Sequence, residues 1–264
     1  MMPPDILYAE LGGVWTPLTG GLSHHVWHVA VDDQPAMTVR IADRTTAPRL
    51  FARDPDAEWT ALTALSGTGL APRAIRRFPD AVVTEYIDGT TWDGQFMAAG
   101  KALRDLHAQT PPPLPVAPRC ALQDGQKILQ MCRDRNLSTV MPAAQPMTGP
   151  DVFLHGDPVG GNIVMHAGQA RLIDWQCPAR GPALHDIALF LSPAMQVIAQ
   201  GRVPGADEIA AFSAGYGPLP DDAIAPLRWR IACHCQWRVE QGHEIYREAL
   251  QAELTALAQS IRRQ

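Results

Sequence analysis

The chain contains 264 residues, and 46% of them are hydrophobic, which is enough to build one large domain or two lobes around a core and excludes disordered and fibrous classes. The 22 basic and 27 acidic residues give a net charge of −5, so no overall positive field would hold nucleic acid or anionic lipid, and we expect neither nucleic acid nor a membrane as a partner. The sequence begins without the pattern of a secretory leader and has no run of about 18 apolar residues, which favours a cytoplasmic protein.

The cysteines do not have the spacing of a disulfide framework or of a zinc ribbon. There are five of them, an odd number, without a Cys-x-x-Cys pair: Cys120, Cys132, Cys177, Cys233 and Cys235. On a helix, Cys233 and Cys235 would point about 200° apart and could not share one metal ion. We therefore expect free thiols in a reducing compartment.

The first ninety residues alternate apolar and polar side chains with the period of β-strands. Residues 26–31 and 37–41 predict two strands joined by a hairpin turn, since Asp32-Asp33-Gln34-Pro35 between them is rich in turn formers. A further pair of strands is predicted after Pro72, the second over residues 81–87. This alternation indicates a small antiparallel sheet.

One helix is predicted within this sheet region. It begins near Asp54-Pro55-Asp56, because an aspartate cap and an early proline suit a helix start, and Gly67 and Gly69 end it. Its apolar stripe consists of Trp59, Leu62 and Leu65. Residues 1–88 are therefore predicted to form an N-terminal lobe of one sheet and one helix.

The pattern becomes helical from Gln95, where apolar residues repeat every three to four positions as far as His107. Residues 110–115 are mostly proline and predict an extended connector, and residues 141–150 predict a second loop. Further helices are predicted over residues 121–135, 183–200, 206–216 and 221–261. Residues 89–264 are thus predicted to form a mainly helical lobe, which makes the fold class α+β.

The segment from residue 153 to residue 175 contains the clearest chemistry. Asp157 is followed five positions later by Asn162, and a predicted hairpin then ends at Asp174. Magnesium prefers one or two carboxylates, with substrate phosphates and waters completing its octahedron. Asn162 and Asp174 are therefore predicted to hold Mg²⁺, while Asp157 remains able to accept a proton from a hydroxyl group. The spacing is typical of a phosphoryl-transfer site.

The motif His155-Gly156-Asp157-x-x-x-x-Asn162, together with Ile173-Asp174-Trp175, resembles the catalytic and metal-binding loops of the aminoglycoside phosphotransferase, choline kinase and thiamine kinase superfamily. These enzymes are small-molecule relatives of protein kinases. The resemblance covers nearly the whole chain and implies a two-lobed protein-kinase-like fold. It also implies ATP or GTP as phosphoryl donor, Mg²⁺ as the metal and Asp157 as the catalytic base.

The resemblance also implies a set of residues for the nucleotide. Arg40 occupies the position of the phosphate-binding lysine in the third strand of protein kinases, and its guanidinium could grip phosphate with a bidentate fork. Glu58 would be its partner, although a lone glutamate on a helix is also typical of a solvated surface. Gly20 and Gly21 would approach the nucleotide phosphates in this family, although two glycines before a strand are also compatible with a simple turn. The full set is Gly20, Gly21, Ser23, Arg40, Glu58, Glu85 and Ile87, with Glu85 and Ile87 on the connection that would face the purine.

Two residues are assigned to support of the catalytic loop. Asp186 is expected to accept backbone amides of the loop, the alternative being a carboxylate that merely stabilises a helix N-terminus. His155 is expected to pack and form hydrogen bonds behind the loop, and a role as general base is the less favoured alternative.

The acceptor is predicted only by class. Trp175, Trp229 and Trp237 follow the catalytic loop, and Glu240 lies near Trp237 on the same predicted helix. Aromatic faces with a carboxylate would suit a cation such as choline or thiamine, whereas the alternative is a stripe that packs one helix on another. Aminoglycosides and sugars remain open as acceptors. Two other classes also remain open: a catalytically silent nucleotide-binding scaffold, and a module that binds a small cation without phosphorylating it.

Overall fold

The structure, a computed structural model, describes residues 5–18, 24–42, 55–220 and 224–262. Its N-terminal part is a five-stranded antiparallel sheet with the strand order β1-β2-β3-β5-β4. The elements are α1 (Asp5–Leu11), β1 (Val14–Leu18), β2 (His24–Ala30), β3 (Met37–Ala42), α2 (Pro55–Ala64), β4 (Ala74–Phe78) and β5 (Ala81–Glu85). The predicted hairpin is confirmed, with Val29 paired to Met37 at the turn.

Alternation along these strands explains why the sheet forms. Val29 and Val39 point to the same face and are completely buried, and they pack with Val83 of β5 into one cluster. Leu7 of α1 covers this face of the sheet. The sequence pattern did not predict α1, because a helix of seven residues shows too few turns of periodicity to be recognised.

The second part of the chain begins with two small sheets. A three-stranded sheet joins β6 (Thr90–Thr91), β8 (Ile163–His166) and β9 (Gln169–Leu172), and β7 (Val152–Leu154) pairs with β10 (Ala179–Gly181). The hairpin predicted before Asp174 is thus present as β8 and β9. The boundary predicted at residue 88 falls between β5 and β6, and the division into lobes at that residue stays a prediction.

The remaining elements are helices. They are α3 (Phe96–His107), α4 (Leu122–Gln130), α5 (Leu184–Phe190), α6 (Pro193–Gln200), α7 (Ala206–Tyr216), α8 (Ile224–Glu240) and α9 (Ile245–Arg262). The helices predicted from Gln95 and over 206–216 are confirmed. Among these elements, none is both long and apolar enough to cross a membrane.

Two predicted long helices are each divided in two. The segment 183–200 breaks at Ser192, whose hydroxyl accepts the N–H of Met195 and begins a new helix with Pro193 in its first turn. The segment 221–261 breaks at Gly242, which has a φ of 89° and lets the chain reverse direction. In addition, the helix predicted over 121–135 ends at Gln130.

One hydrophobic cluster connects the sheet region with the helical region. Leu62 and Leu65 of α2 are buried in it, and Trp59 packs against it, as the predicted stripe requires. From the helical side it receives, among others, Phe96, Leu103, Phe153, Trp175 and Phe190. The molecule is therefore a two-lobed α+β fold with an antiparallel sheet lobe, a mainly helical lobe and a core shared between them.

Candidate active site

Asp157 lies in the loop after β7, and short-range hydrogen bonds close this loop around it. Its backbone N–H donates to Nδ1 of His155 at 3.2 Å. The side-chain amide of Asn162 donates to the carbonyl oxygen of Asp157 at 2.9 Å and to its Oδ2 at 3.1 Å. The five-residue interval in the sequence thus corresponds to a direct contact between the two side chains.

Gly156 allows the chain to turn immediately before Asp157. Its φ is +84°, and a Cβ atom at this position would lie 2.0 Å from the carbonyl oxygen of Cys177. A residue with a side chain would therefore displace the loop.

Asp186, on α5, holds the catalytic loop in place through hydrogen bonds to its backbone. Its carboxylate is fully buried and accepts the backbone N–H of His155 at 2.8 Å and that of Gly156 at 2.9 Å. Nε2 of His107, at the end of α3, lies 3.2 Å from the same carboxylate. Burial alone would raise the pKa of Asp186, but the hydrogen bond and charge of His107 and the contacts with His155 outweigh it and lower the pKa. The amide contacts expected for this residue are present.

His155 uses both ring nitrogens inside the protein. Nε2 donates to the carbonyl oxygen of Ile173 at 2.9 Å, Nδ1 accepts from Asp157, and the ring packs edge-on against Trp175. The residue is completely buried, which lowers its pKa and keeps the ring neutral. This geometry corresponds to the supporting role and leaves no ring nitrogen for a substrate.

Asp174 follows β9 and adopts a φ of 63°, in the left-handed region that residues other than glycine rarely occupy. The N–H of Ile173 donates to the carbonyl oxygen of Asn162 at 2.9 Å, which brings Asp174 beside the catalytic loop. The side-chain amide of Gln176 donates to Oδ1 of Asp174, and this oxygen also lies 3.4 Å from Nη1 of Arg40.

Arg40 links the sheet lobe to this loop. Its guanidinium forms an ion pair with Glu58 of α2, and both side chains are almost buried. Burial lowers the pKa of Arg40, while the negative charge of Asp174 opposes that change. The predicted partnership of Arg40 and Glu58 is present in the structure, and Glu58 is not a solvated surface residue.

The electrostatic environment makes Asp157 suitable for proton transfer near neutral pH. Burial raises the pKa of Asp157 to about 7, the negative charge of Asp174 adds to this effect, and the hydrogen bond from Asn162 opposes it. A carboxylate with such a pKa can accept a proton and release it again at physiological pH.

The donors near Asp157 fit a magnesium ion that is completed by a substrate. Because the amide nitrogen of Asn162 donates to Asp157, its amide oxygen is the atom left for a metal, beside the carboxylate of Asp174. The described residues hold no cluster of three or more histidine, cysteine, aspartate or glutamate side chains with the geometry of a metal site. Few protein ligands with phosphates and waters are what Mg²⁺ uses in phosphoryl transfer.

The other residues assigned to the nucleotide are placed as follows. Gly20, Gly21 and Ser23 lie outside the described residues. Glu85 pairs with Arg171 at 3.4 Å and lies 3.8 Å from Arg73, so its carboxylate is occupied by the protein. Ile87 is buried, and neither its backbone N–H nor its C=O is hydrogen-bonded to another residue of the described ranges.

The predicted acceptor pocket is wrong for Trp175 and Trp229. Trp175 is 1% exposed and Trp229 is 0% exposed, and their indole N–H groups donate to the carbonyl oxygens of Leu172 and Leu137. Trp237 is also buried in the core cluster of α4, α8 and α9. The alternative of a packing stripe therefore describes these indoles, because a fully buried ring has no face to offer an acceptor.

Two residues near the site were missed in the sequence. Arg238 of α8 lies close enough for its positive charge to lower the pKa of Asp157, and His107 contacts Asp186. Neither belongs to the contiguous motif around Asp157. The only sequence signal for Arg238 was its position beside Trp237, which had already been assigned to the acceptor.

Comparison with known proteins places this geometry in a family. A model of the phosphotransferase enzyme family matches residues 14–229. A search of curated proteins finds no match to the sequence. Among solved structures, choline kinase LicA from Streptococcus pneumoniae is similar with a TM-score of 0.71 and 16% identity, over 97% of this chain and 98% of that one.

Two further solved structures show the same fold. A choline/ethanolamine kinase family protein from Mesorhizobium loti has a TM-score of 0.65 and 15% identity, over 96% of this chain and 90% of that one. A thermostable mutant of aminoglycoside phosphotransferase APH(4)-Ia has a TM-score of 0.66 and 12% identity, over 97% and 98% of the two chains. At these identities the likeness establishes the fold, and the acceptor must be inferred from the residues themselves.

Proposed function

The chain belongs to the phosphotransferase enzyme family, and we propose that it transfers the γ-phosphoryl group of ATP or GTP to a hydroxyl group of a small molecule. The observation that carries this proposal is the contact of Asp157 with Asn162, beside Asp174 and within reach of Arg40. This arrangement combines a proton acceptor, donors for a metal and a buried cation for phosphate in one place.

The residues around Asp157 would bind the nucleotide and the metal ion. Arg40, held by Glu58, is positioned to bind the nucleotide phosphates. Asn162 and Asp174 would hold Mg²⁺, which when bound neutralises the charge of the phosphates that it contacts. Ile87 offers a backbone donor and acceptor, which supports its assignment to the purine edge.

Asp157 would orient the acceptor hydroxyl and take its proton as the hydroxyl oxygen forms a bond to the γ-phosphorus. The bond between that phosphorus and the bridging oxygen breaks, and the nucleoside diphosphate leaves. Because the pKa of Asp157 is about 7, we expect kcat/KM to rise with pH up to about 7 and then to level off.

The test is turnover of ATP and GTP by the purified protein with Mg²⁺, against choline, ethanolamine, thiamine, aminoglycosides, sugars and amino acids. We expect acceptor-dependent release of nucleoside diphosphate that Asp157→Asn abolishes and Asp32→Asn leaves unchanged, because Asp32 is exposed in the hairpin turn and belongs to neither the catalytic loop nor the residues assigned to the nucleotide. Binding of a fluorescent nucleotide should survive in both variants. If nucleotide binds but neither the parent nor the variants show turnover with any acceptor, the silent-scaffold alternative is favoured instead.

The acceptor class predicted from the sequence, a cation of the choline or thiamine type, loses its structural support. Trp229 is inside the core, and Glu240 accepts the backbone N–H groups of Arg133 and Asp134 at 2.7 and 2.9 Å. The aromatic and acidic groups that would have bound a cation are therefore used by the protein itself.

We propose the cytoplasm as the place of action. The cysteines are free thiols, and the two at positions 233 and 235 are fully buried. Free thiols are typical of proteins from a reducing compartment.

A further inference from the structure

Arg238 of α8 is a cation whose charge acts on Asp157, and it forms no ion pair within the described residues. Among the described residues, its guanidinium has no aspartate or glutamate within ion-pair distance. Its Nε donates to Nε2 of His234 at 3.3 Å. Burial lowers the pKa of His234 to about 3, so this partner is neutral and adds no negative charge.

The guanidinium of Arg238 also covers the aromatic faces near the loop. It lies 5.0 Å from the ring centre of Trp237 and 5.8 Å from that of Tyr246. Both distances are typical of cation–π contacts. A quaternary ammonium group would have to displace this side chain and would meet its positive charge.

The packing of the catalytic loop brings Arg238 and Asp157 to the same neighbour, Tyr246. Val159, two residues after Asp157, packs into the cluster that contains Tyr246 and Cys235. In agreement with this, the charges of Arg238 and Asp157 both act on the pKa of Tyr246, in opposite directions. Arg238 is partly exposed, so its guanidinium is accessible to a small molecule.

We propose that the acceptor carries a carboxylate or phosphate group, which pairs with Arg238 while its hydroxyl group faces Asp157. This inference rests on the proposed function, since it names the substrate class of the same site. Arginine forms bidentate hydrogen bonds with such anions, and a partly desolvated guanidinium without a counter-charge is stabilised by them. The family match ends at residue 229, so Arg238 lies in the part of the chain that the family pattern does not cover.

The experiment compares, in each of two pairs, an acceptor that has a carboxylate with one that lacks it. Serine is paired with ethanolamine and glycerate with glycerol, in initial-rate kinetics with Mg²⁺ and ATP and in calorimetric titration of the four compounds. We expect the carboxylated member of each pair to have a kcat/KM, and an affinity, about 10- to 100-fold higher, as a charge-assisted hydrogen bond provides. Arg238→Gln should abolish this preference. Because the comparison is made within each pair, a change in the pKa of Asp157 that affects both members equally cancels.

Two further variants distinguish loss of the contact between Arg238 and the anion from misfolding of the protein. Arg238→Lys keeps the charge but loses the fork and should retain part of the preference. Arg247→Gln, on the exposed face of α9 where Arg247 pairs with Glu244, should retain all of it.

Several results would overturn the inference. They are equal use of both members of a pair, a preference for ethanolamine or glycerol, a preference that survives in Arg238→Gln, and failure of both carboxylates to bind at millimolar concentration. A rise of the KM for ATP in Arg238→Gln, equal for all four acceptors, would assign the residue to the nucleotide phosphates instead. If no acceptor is phosphorylated, the proposed function fails, and Arg238-dependent binding of the carboxylates would still support the anion site.

Discussion

Asp157→Asn should make the protein more stable at the same time as it abolishes turnover. The carboxylate of Asp157 is held beside Asp174 in a poorly solvated loop, an arrangement that opposes folding and that would serve the proposed proton transfer. Asparagine has the same shape, and its amide oxygen can accept the hydrogen bond that Asn162 donates. The substitution therefore removes a charge and preserves the contact.

The size of the effect follows from the pKa of Asp157. The pKa rises from 3.8 to about 7, a difference of roughly three units. Each unit corresponds to about 1.4 kcal/mol, so the unfavourable free energy has a ceiling of about 4 kcal/mol. Because the side chain is partly exposed and solvent screens it, we expect about 1–3 kcal/mol of added stability.

The sign of the pH dependence is also determined. Since the folded-state pKa of Asp157 is raised, the folded protein binds more protons than the unfolded chain between about pH 4 and pH 7. The parent protein therefore loses stability as the pH rises through this interval, whereas the Asp157→Asn variant does not. The stability difference should be near zero at about pH 4, grow up to about pH 7 and stay constant above it.

Urea unfolding followed by circular dichroism at several pH values between 4 and 8.5 measures this difference directly. Asp32→Asn, in the exposed hairpin turn, serves as the control and should show a much smaller change. A stability difference that is independent of pH, or a variant that is less stable than the parent at pH 8, would refute the electrostatic account of Asp157.

Three further substitutions test the supporting structure. Asp186→Ala leaves two buried loop N–H groups without a partner and should destabilise the protein by about 2–5 kcal/mol in urea unfolding. Because the folded-state pKa of Asp186 is lowered, this loss should be full above about pH 4 and diminish in more acidic solution. Gly160→Ala would place a Cβ 2.8 Å from the ring of Trp92 and should reduce kcat about tenfold or more, whereas Gly161→Ala points into open space and should retain activity. Glu253→Ala removes the buried partner of a 3.0 Å ion pair with the partly exposed Arg228, between α9 and α8, and calorimetry should show a loss of about 2–4 kcal/mol; an unchanged melting temperature would contradict this.

Local patterns predicted those parts of the fold that depend on local physics. The strand alternation around Val29 and Val39 and the helical repeat of α3 were readable because one face of each element is buried. The breaks at Ser192 and Gly242 were not predicted, since apolar periodicity continues across them and only the cap geometry separates the helices.

The catalytic loop was readable for a similar reason. Asp157 and Asn162 lie five residues apart and meet through local hydrogen bonds. Their spacing in the sequence was therefore enough to predict that they share one site. The direction in which Trp229 points could not be derived in this way, because a helical wheel does not show which neighbour covers each face. Arg238 was missed because its relation to Asp157 exists only after α8 has packed against the loop.

The anchoring of the loop by Asp186 has a consequence for how the protein acquires its chemistry during folding. The carboxylate joins groups that are distant along the chain: His107 is separated from it by 79 residues, and His155 by 31. Closing such long intervals is slow compared with forming a helix or a hairpin. Asp157 therefore reaches its working position only when α3, the loop and α5 have come together. A half-folded or newly synthesised chain therefore lacks the assembled loop, and we expect it to have no phosphotransferase activity.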